Sequence, residues 1–238
     1  MSANPASAGF LDDLASQSGI PGFGSSDEPA SAGLSGMIDS DTAVSGLKEA
    51  LTLGIRNAVE EAASSNGFLD NDAIRIPLPD PLQKVSSALR AVGYGQLVDD
   101  FEVSMNRAAE KAAPQAKQIF LDQIQNASIE DGLKILNGGD TAATEFLKGK
   151  TFQQLSALFA PIISSSLDQV GATRYFKAMM DQFSSLPFMN AFPFDLNQYV
   201  TQNSLDGLFV LLGEEEKNIR SNPQARATDL LKKVFQKQ

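Results

Sequence analysis

Residues 94–127, YGQLVDDFEVSMNRAAEKAAPQAKQIFLDQIQNA, decide the fold. Val98, Phe101, Met105, Ala108, Ala112, Ala116 and Ile119 recur at the three-four spacing of one helix face, and the middle of that stripe is alanine. Small side chains there let a neighbouring helix come close. The opposite face is mixed: Val103 and Leu121 are apolar, and Arg107 and Glu110 lie one turn apart between them. Apolar character on both sides predicts a central helix. Pro114 lies well inside it and should kink or split it, because an interior proline costs about 3 kcal/mol.

The segments on either side repeat the helical period. Val44, Leu47, Leu51, Ile55, Ala58 and Ala62 mark an amphipathic helix that Asn66-Gly67 stops in left-handed geometry. Next, Pro77, Pro79 and Pro81 at alternate positions forbid a helix until Asp80 or Pro81. This stretch reads as an extended strap, with Ile74, Ile76 and Leu78 inserted into the core. Asp70-Asn71-Asp72 resembles the opening of a calcium loop, yet the motif's glycine and closing glutamate are missing, so these residues read as loop caps. A helix follows from about Pro81 to Ala91.

After the central helix, Ser128 to Asp131 caps a short helix that stops at Gly138-Gly139. A separate helix is expected in TAATEFLKGK, and another from a capping box at Thr151 to Gln154 as far as Val170, with Pro161 inside it. Residues 173–186 form the next. The loop SSLPFMNAFPFDLNQYV then crowds Phe188, Met189, Phe192, Phe194 and Tyr199 between Pro187 and Pro193, where polar turn residues would be ordinary. Two readings stand: a plug folded over the core, or an exposed apolar lip for a ligand or partner. Asp195 caps a short helix to about Thr201, Leu205 to Ile219 marks another with Glu214, Glu215 and Glu216 outside, and Asn222-Pro223 restarts the chain in a last helix. The prediction is all-α: one compact domain of roughly nine to ten helices over 40–238. Residues 1–39, with 17 Gly, Pro or Ser, form a flexible acidic tail whose apolar cluster Phe10 to Leu14 makes one short helical turn.

Composition narrows the chemistry. The 238 residues, 42% apolar with 15 Phe, suffice for a real core. Half of the net charge of −10 lies in residues 1–39, which hold five acids and no Lys or Arg. An acidic surface repels phosphate backbones and anionic headgroups, so nucleic acid is not an expected partner. With neither Cys nor His there is no thiolate nucleophile, Ser-His-Asp triad or usual zinc site, and neither metal nor cofactor is expected. No apolar run is long enough to span a membrane. The start, Met1-Ser2-Ala3-Asn4-Pro5, suits a cytoplasmic protein or an exported chain trimmed of its signal.

Five phrases, GFLDNDAIRIPLP (67–79), MNRAAEKAAPQAKQIF (105–120), GGDTAATEFLKGKTFQQL (138–155), YVTQNSLDGLFVLLGEEEKNIRSNP (199–223) and RATDLLKKVF (226–235), together resemble the bacterial domain-of-unknown-function 4197 family. The resemblance covers essentially all of 41–238. It implies an exported, helical envelope protein with no established activity, hence a periplasmic location, with the cytoplasm as the alternative.

These phrases carry polar groups where apolar ones would be expected: Asn106, Arg107 and Glu110; Asp140, Thr141 and Thr144; Asp206, Glu215, Arg220, Arg226 and Thr228. A buried charge needs a partner, so one reading is an internal network tying helices together. The other is a site, with Arg107 or Arg220 holding a carboxylate or phosphate and Glu110 or Glu215 as a base. Three functions follow: a non-enzymatic protein binding an apolar small molecule, lipid or protein partner; a structural or adaptor protein without a ligand; and a hydrolase or lyase using carboxylates alone.

Overall fold

A computed structural model describes residues 40–189 and 192–221. Among these, the chain forms eight α-helices and one 3-10 turn, and no strand. The helices are α1 (Ser40–Ala63), α2 (Asp80–Ala91), α3 (Gly95–Ala112), α4 (Ala116–Gln125), α5 (Ile129–Leu136), α6 (Ala142–Val170), α7 (Ala172–Ser184) and α8 (Leu196–Ser221). No helix among the described residues is long and apolar enough to cross a membrane. The expected tail over 1–39, its turn at 10–14 and the last helix after Asn222 lie outside the described residues.

The expected central helix is central, and it is split. Pro114 sits in the 3-10 turn Ala113–Gln115, which joins α3 to α4. The tighter turn dispenses with the amide that proline lacks. α3 packs against α1, α2, α6, α7 and α8. Ala108, Ala109, Ala112, Ala113 and Ala116 are fully buried, as the alanine stripe requires.

The strap is extended over 75–79 and delivers Ile74, Ile76 and Leu78 to the core, with Arg75 and Pro77 exposed. Pro79 is buried as well. α1 ends because Asn66, rather than Gly67, takes the left-handed conformation, at φ 67°. Gly67 is needed for space, since a Cβ there would stand 2.2 Å from the Glu61 carbonyl oxygen.

The count of nine to ten helices is not matched, because two expected breaks are absent. Residues 142–170 form one 29-residue helix, α6, through Gly149, Thr151 and Pro161. Thr151 is no N-cap: it is buried, and its Oγ1 donates to the Leu147 carbonyl at 2.7 Å. The buried stripe Ala143, Leu147, Thr151, Leu155, Phe159 and Ile163 continues at four-residue spacing through the supposed break, and its burial outweighs the ~1 kcal/mol cost of a helical glycine. Leu196–Ser221 likewise forms one helix, α8, running through Thr201 to Ser204. Ser204 Oγ donates to the Val200 carbonyl at 2.6 Å and Thr201 Oγ1 to Asn197 Oδ1 at 3.1 Å, so these hydroxyls are satisfied within the helix.

Two glycines predict opposite responses to the same substitution. At Gly207 in α8 an added Cβ would meet Phe68 Cε1 at 2.8 Å and Ile74 Cβ at 3.2 Å. At Gly149 in α6 it would meet nothing within 4 Å. In urea unfolding, Gly207→Ala should lose about 1–3 kcal/mol through overpacking. Gly149→Ala should gain about 0.5–1 kcal/mol.

Candidate functional site

The polar residues singled out in the sequence fall into separate groups at places where backbone cannot pair with itself. Asn106, buried on α3, faces the strap. Its Oδ1 accepts from the Ile76 amide at 2.8 Å, and its Nδ2 donates to the Ile76 carbonyl at 2.9 Å and to the Glu102 carbonyl at 2.9 Å. One side-chain amide thus supplies what a neighbouring strand would supply to an extended segment. Arg75 adds an ion pair to Glu102 at 2.8 Å.

One turn on, Glu110 reaches the turn that follows α1. Its Oε1 accepts from the amides of Phe68 at 3.3 Å and Leu69 at 3.4 Å, and its Oε2 accepts from Arg107 Nη1 at 2.6 Å. Arg107 continues to Asn66 Oδ1 and lies 3.5 Å from Ser65 Oγ. Beside it, the acid-rich turn that resembled a calcium loop uses its side chains locally. Asn71 Oδ1 accepts from the Ala73 amide at 3.0 Å, and Asp70 accepts from Asn66 Nδ2 at 2.7 Å. Among the described residues no cluster of acids has the makings of a metal site.

The third group centres on Glu216, which is 3% exposed and not on the outer surface expected for the run Glu214 to Glu216. Its Oε1 accepts from the Ala143 amide at 2.9 Å, and its Oε2 accepts from the Thr144 amide at 2.8 Å and the Thr144 hydroxyl at 2.9 Å. The N-cap residue of α6, Thr141, provides no capping bond and donates instead to Glu145. Glu216 therefore caps α6 from another helix, placing its charge at the positive end of the helix dipole. Arg220 completes the group: it donates to Glu216 Oε1 through Nε at 3.1 Å and Nη2 at 2.8 Å, and through Nη2 to the Ile135 carbonyl at the end of α5 at 2.8 Å. Glu216 was legible as Arg220's partner but not as buried. The missed signal is that it stands four residues after Leu212 and three before Ile219, on the apolar stripe itself.

The other named residues lie at the surface. Glu215 accepts from Asn57 at 3.1 Å, Asp206 pairs with Lys148 at 3.0 Å, and Asp140 is exposed at the corner before α6. Arg226 and Thr228 lie outside the described residues. With five donors on Glu216, and two backbone amides and a guanidinium on Glu110, neither carboxylate is presented to take a proton from a substrate.

The aromatic segment divides. Phe194 and Tyr199 pack inward, in a ladder running Phe101–Phe176 (5.7 Å between ring centroids), Phe176–Phe194 (6.0 Å) and Phe194–Tyr199 (5.6 Å). Tyr199 Oη donates to the Pro77 carbonyl at 2.9 Å, tying the ladder to the strap. Phe192 is half-buried against the same core. Phe188 is the opposite: its side chain is fully exposed, on a backbone with φ 65°, and Met189 beside it is exposed too. Between α6 and the start of α8 lies a cleft of about 360 Å³, lined by Ser156, Asp195, Asn197, Gln198 and Thr201 among others. Next to Glu216 there is room for little more than one water, about 10 Å³.

Two predictions follow from these contacts. Glu216→Ala takes the carboxylate from Arg220 and from two amides at the start of α6, and urea unfolding should report a loss of about 3–5 kcal/mol. Burial lifts the Tyr199 phenol above its ordinary 10.0, and the charges of Asp80 and Glu102 raise it further. A folded pKa above the unfolded one gives stability that is present below pH 10.0 and is lost as pH rises through the folded value. Between about pH 9 and pH 11 the native protein should lose more stability than Tyr199→Phe, and their difference should shrink.

No curated protein and no solved structure matches the chain. A family model described as protein of unknown function, DUF4197, matches residues 37–236. That span takes in the strap held by Asn106, the Glu110 turn, the Glu216 clamp and the aromatic segment, and on it this chain belongs to the DUF4197 family.

Proposed function

We propose that this protein is a non-enzymatic binding protein whose α7–α8 segment docks into an apolar pocket of a protein partner. Phe188 carries the reading. A non-glycine residue in left-handed geometry costs about 1 kcal/mol, and a phenylalanine left in water forgoes about 2 kcal/mol of burial. Strain and exposure at one residue point to use by something outside the chain. A partner is favoured over an apolar small molecule or lipid because Phe176, Phe194 and Tyr199 pack on one another and against the core. The saturated carboxylate of Glu110, expected with Glu215 as a candidate base, weighs against hydrolase or lyase chemistry. The resemblance to exported proteins favours an envelope setting, in which Phe188 would meet a periplasmic partner.

A photo-crosslinking side chain at position 188 and another at the exposed position 210 test this in the native host. A discrete protein adduct at 188, absent at 210 and competed away by excess unlabelled protein but not by Phe188→Ser, is the expected outcome. Adducts of equal yield at both positions, or lipid alone at 188, would refute it. Phe188→Ser should leave stability within about 0.5 kcal/mol of the native protein, since the ring packs on nothing.

A further inference from the structure

A second cleft lies on the side of the molecule formed by the end of α1, the last turns of α3 and the end of α6. It measures about 430 Å³, and its lining includes Ser64, Ser65, Arg107, Lys111 and Val170. We infer that this cleft binds the phosphate group of a small phosphate monoester. Its chemistry differs from that of the surrounding protein: in a chain of net charge −10 it brings together a guanidinium and an ammonium one turn apart, beside one carboxylate, Glu110, which pairs with Arg107 through one oxygen and accepts from two backbone amides through the other.

Donor capacity supports the same assignment. Arg107 has five N–H donors, and its bonds to Glu110, Ser65 and Asn66 use three. Lys111 has three and uses one, on Gln169. Two N–H groups on each residue stay uncommitted among the described residues. Glu110 and Asn66 also hold Arg107 in place, so little side-chain entropy is lost when an anion arrives. Donors from α3 and the Ser65 hydroxyl from the turn after α1 approach from different elements, which suits a tetrahedral oxyanion better than a planar carboxylate; the Ser64 hydroxyl is committed to the Glu61 carbonyl at 2.8 Å. The depression is open to solvent, and Ala63 and Val170 give it an apolar side against which an organic remainder can lie.

Glycerol 3-phosphate serves as the probe, followed by amide chemical shifts of the full chain, with glycerol and acetate as controls. Saturable shifts at Ser64, Ser65, Lys111 and Val170 are expected, with acetate and glycerol inert. Lys111→Gln should weaken binding by about tenfold and Ser65→Ala by a smaller factor, both with unchanged melting temperature. Arg107 is left intact because it also holds the turn after α1. A parallel arm measures co-sedimentation with phosphatidylcholine vesicles containing phosphatidic acid. Lysine-dependent binding there, without binding of the soluble ester, assigns the phosphate to a lipid headgroup, and the reverse assigns it to a soluble ligand. No saturable binding in either arm, equal binding by acetate, or binding undiminished in Lys111→Gln would overturn the inference.

Discussion

A carboxylate kept from water must find donors inside the protein, and the relation of α5, α6 and α8 depends on how Glu216 finds them. Its five donors come from the first turn of α6 and from Arg220, which in turn reaches the last turn of α5. One charged pair therefore satisfies orphan amides at the start of α6, which has no side-chain cap of its own, and adds a donor to the last turn of α5. Glu110 does the same for the turn after α1, and Asn106 for a strap with no strand beside it. Each of these three side chains stands where irregular backbone or an uncapped helix start meets the interior. Their chemistry is that of missing backbone partners.

Much of this was readable because the causes are local. Pro114 announces its joint through a missing amide, the alternation of Ile74, Ile76 and Leu78 announces a strap, and Ser128 with Asp131 announces a reciprocal cap that is present. The helix count went astray where tertiary burial overrules local signals. Gly149 and Thr151 look like the end of one helix and the start of another, but an apolar stripe at four-residue spacing runs through both. Thr201 to Ser204 look like a polar break, yet two of the four point inward and bond within their own helix.

The candidate sites were less legible, for a related reason. Glu216 reads as surface when judged by its neighbours Glu214 and Glu215, and as core when judged by its position between Leu212 and Ile219. Residue type and helical phase disagree, and phase prevails because Ala143, Thr144 and Arg220 supply what the carboxylate needs. The aromatic segment posed a choice between plug and lip that composition could not resolve. The chain takes both: Phe194 and Tyr199 go in and Phe188 goes out, itself in a left-handed conformation that no propensity would place at a phenylalanine. The cleft beside Arg107 depends on α1 and α6 ending against the same stretch of α3, a juxtaposition over 100 residues of chain that periodicity does not encode.

α8 gives the fold a mechanical property. It is one unbroken rod of 26 residues, about 39 Å long, with Tyr199 bonded to the strap near one end and Glu216 clamped to α6 and Arg220 to α5 near the other. A rod fixed at both ends resists bending and transmits a load along its axis. A pull on the segment entering at Leu196 would reach the Glu216 clamp as tension, about six turns of helix away, without a hinge to absorb it.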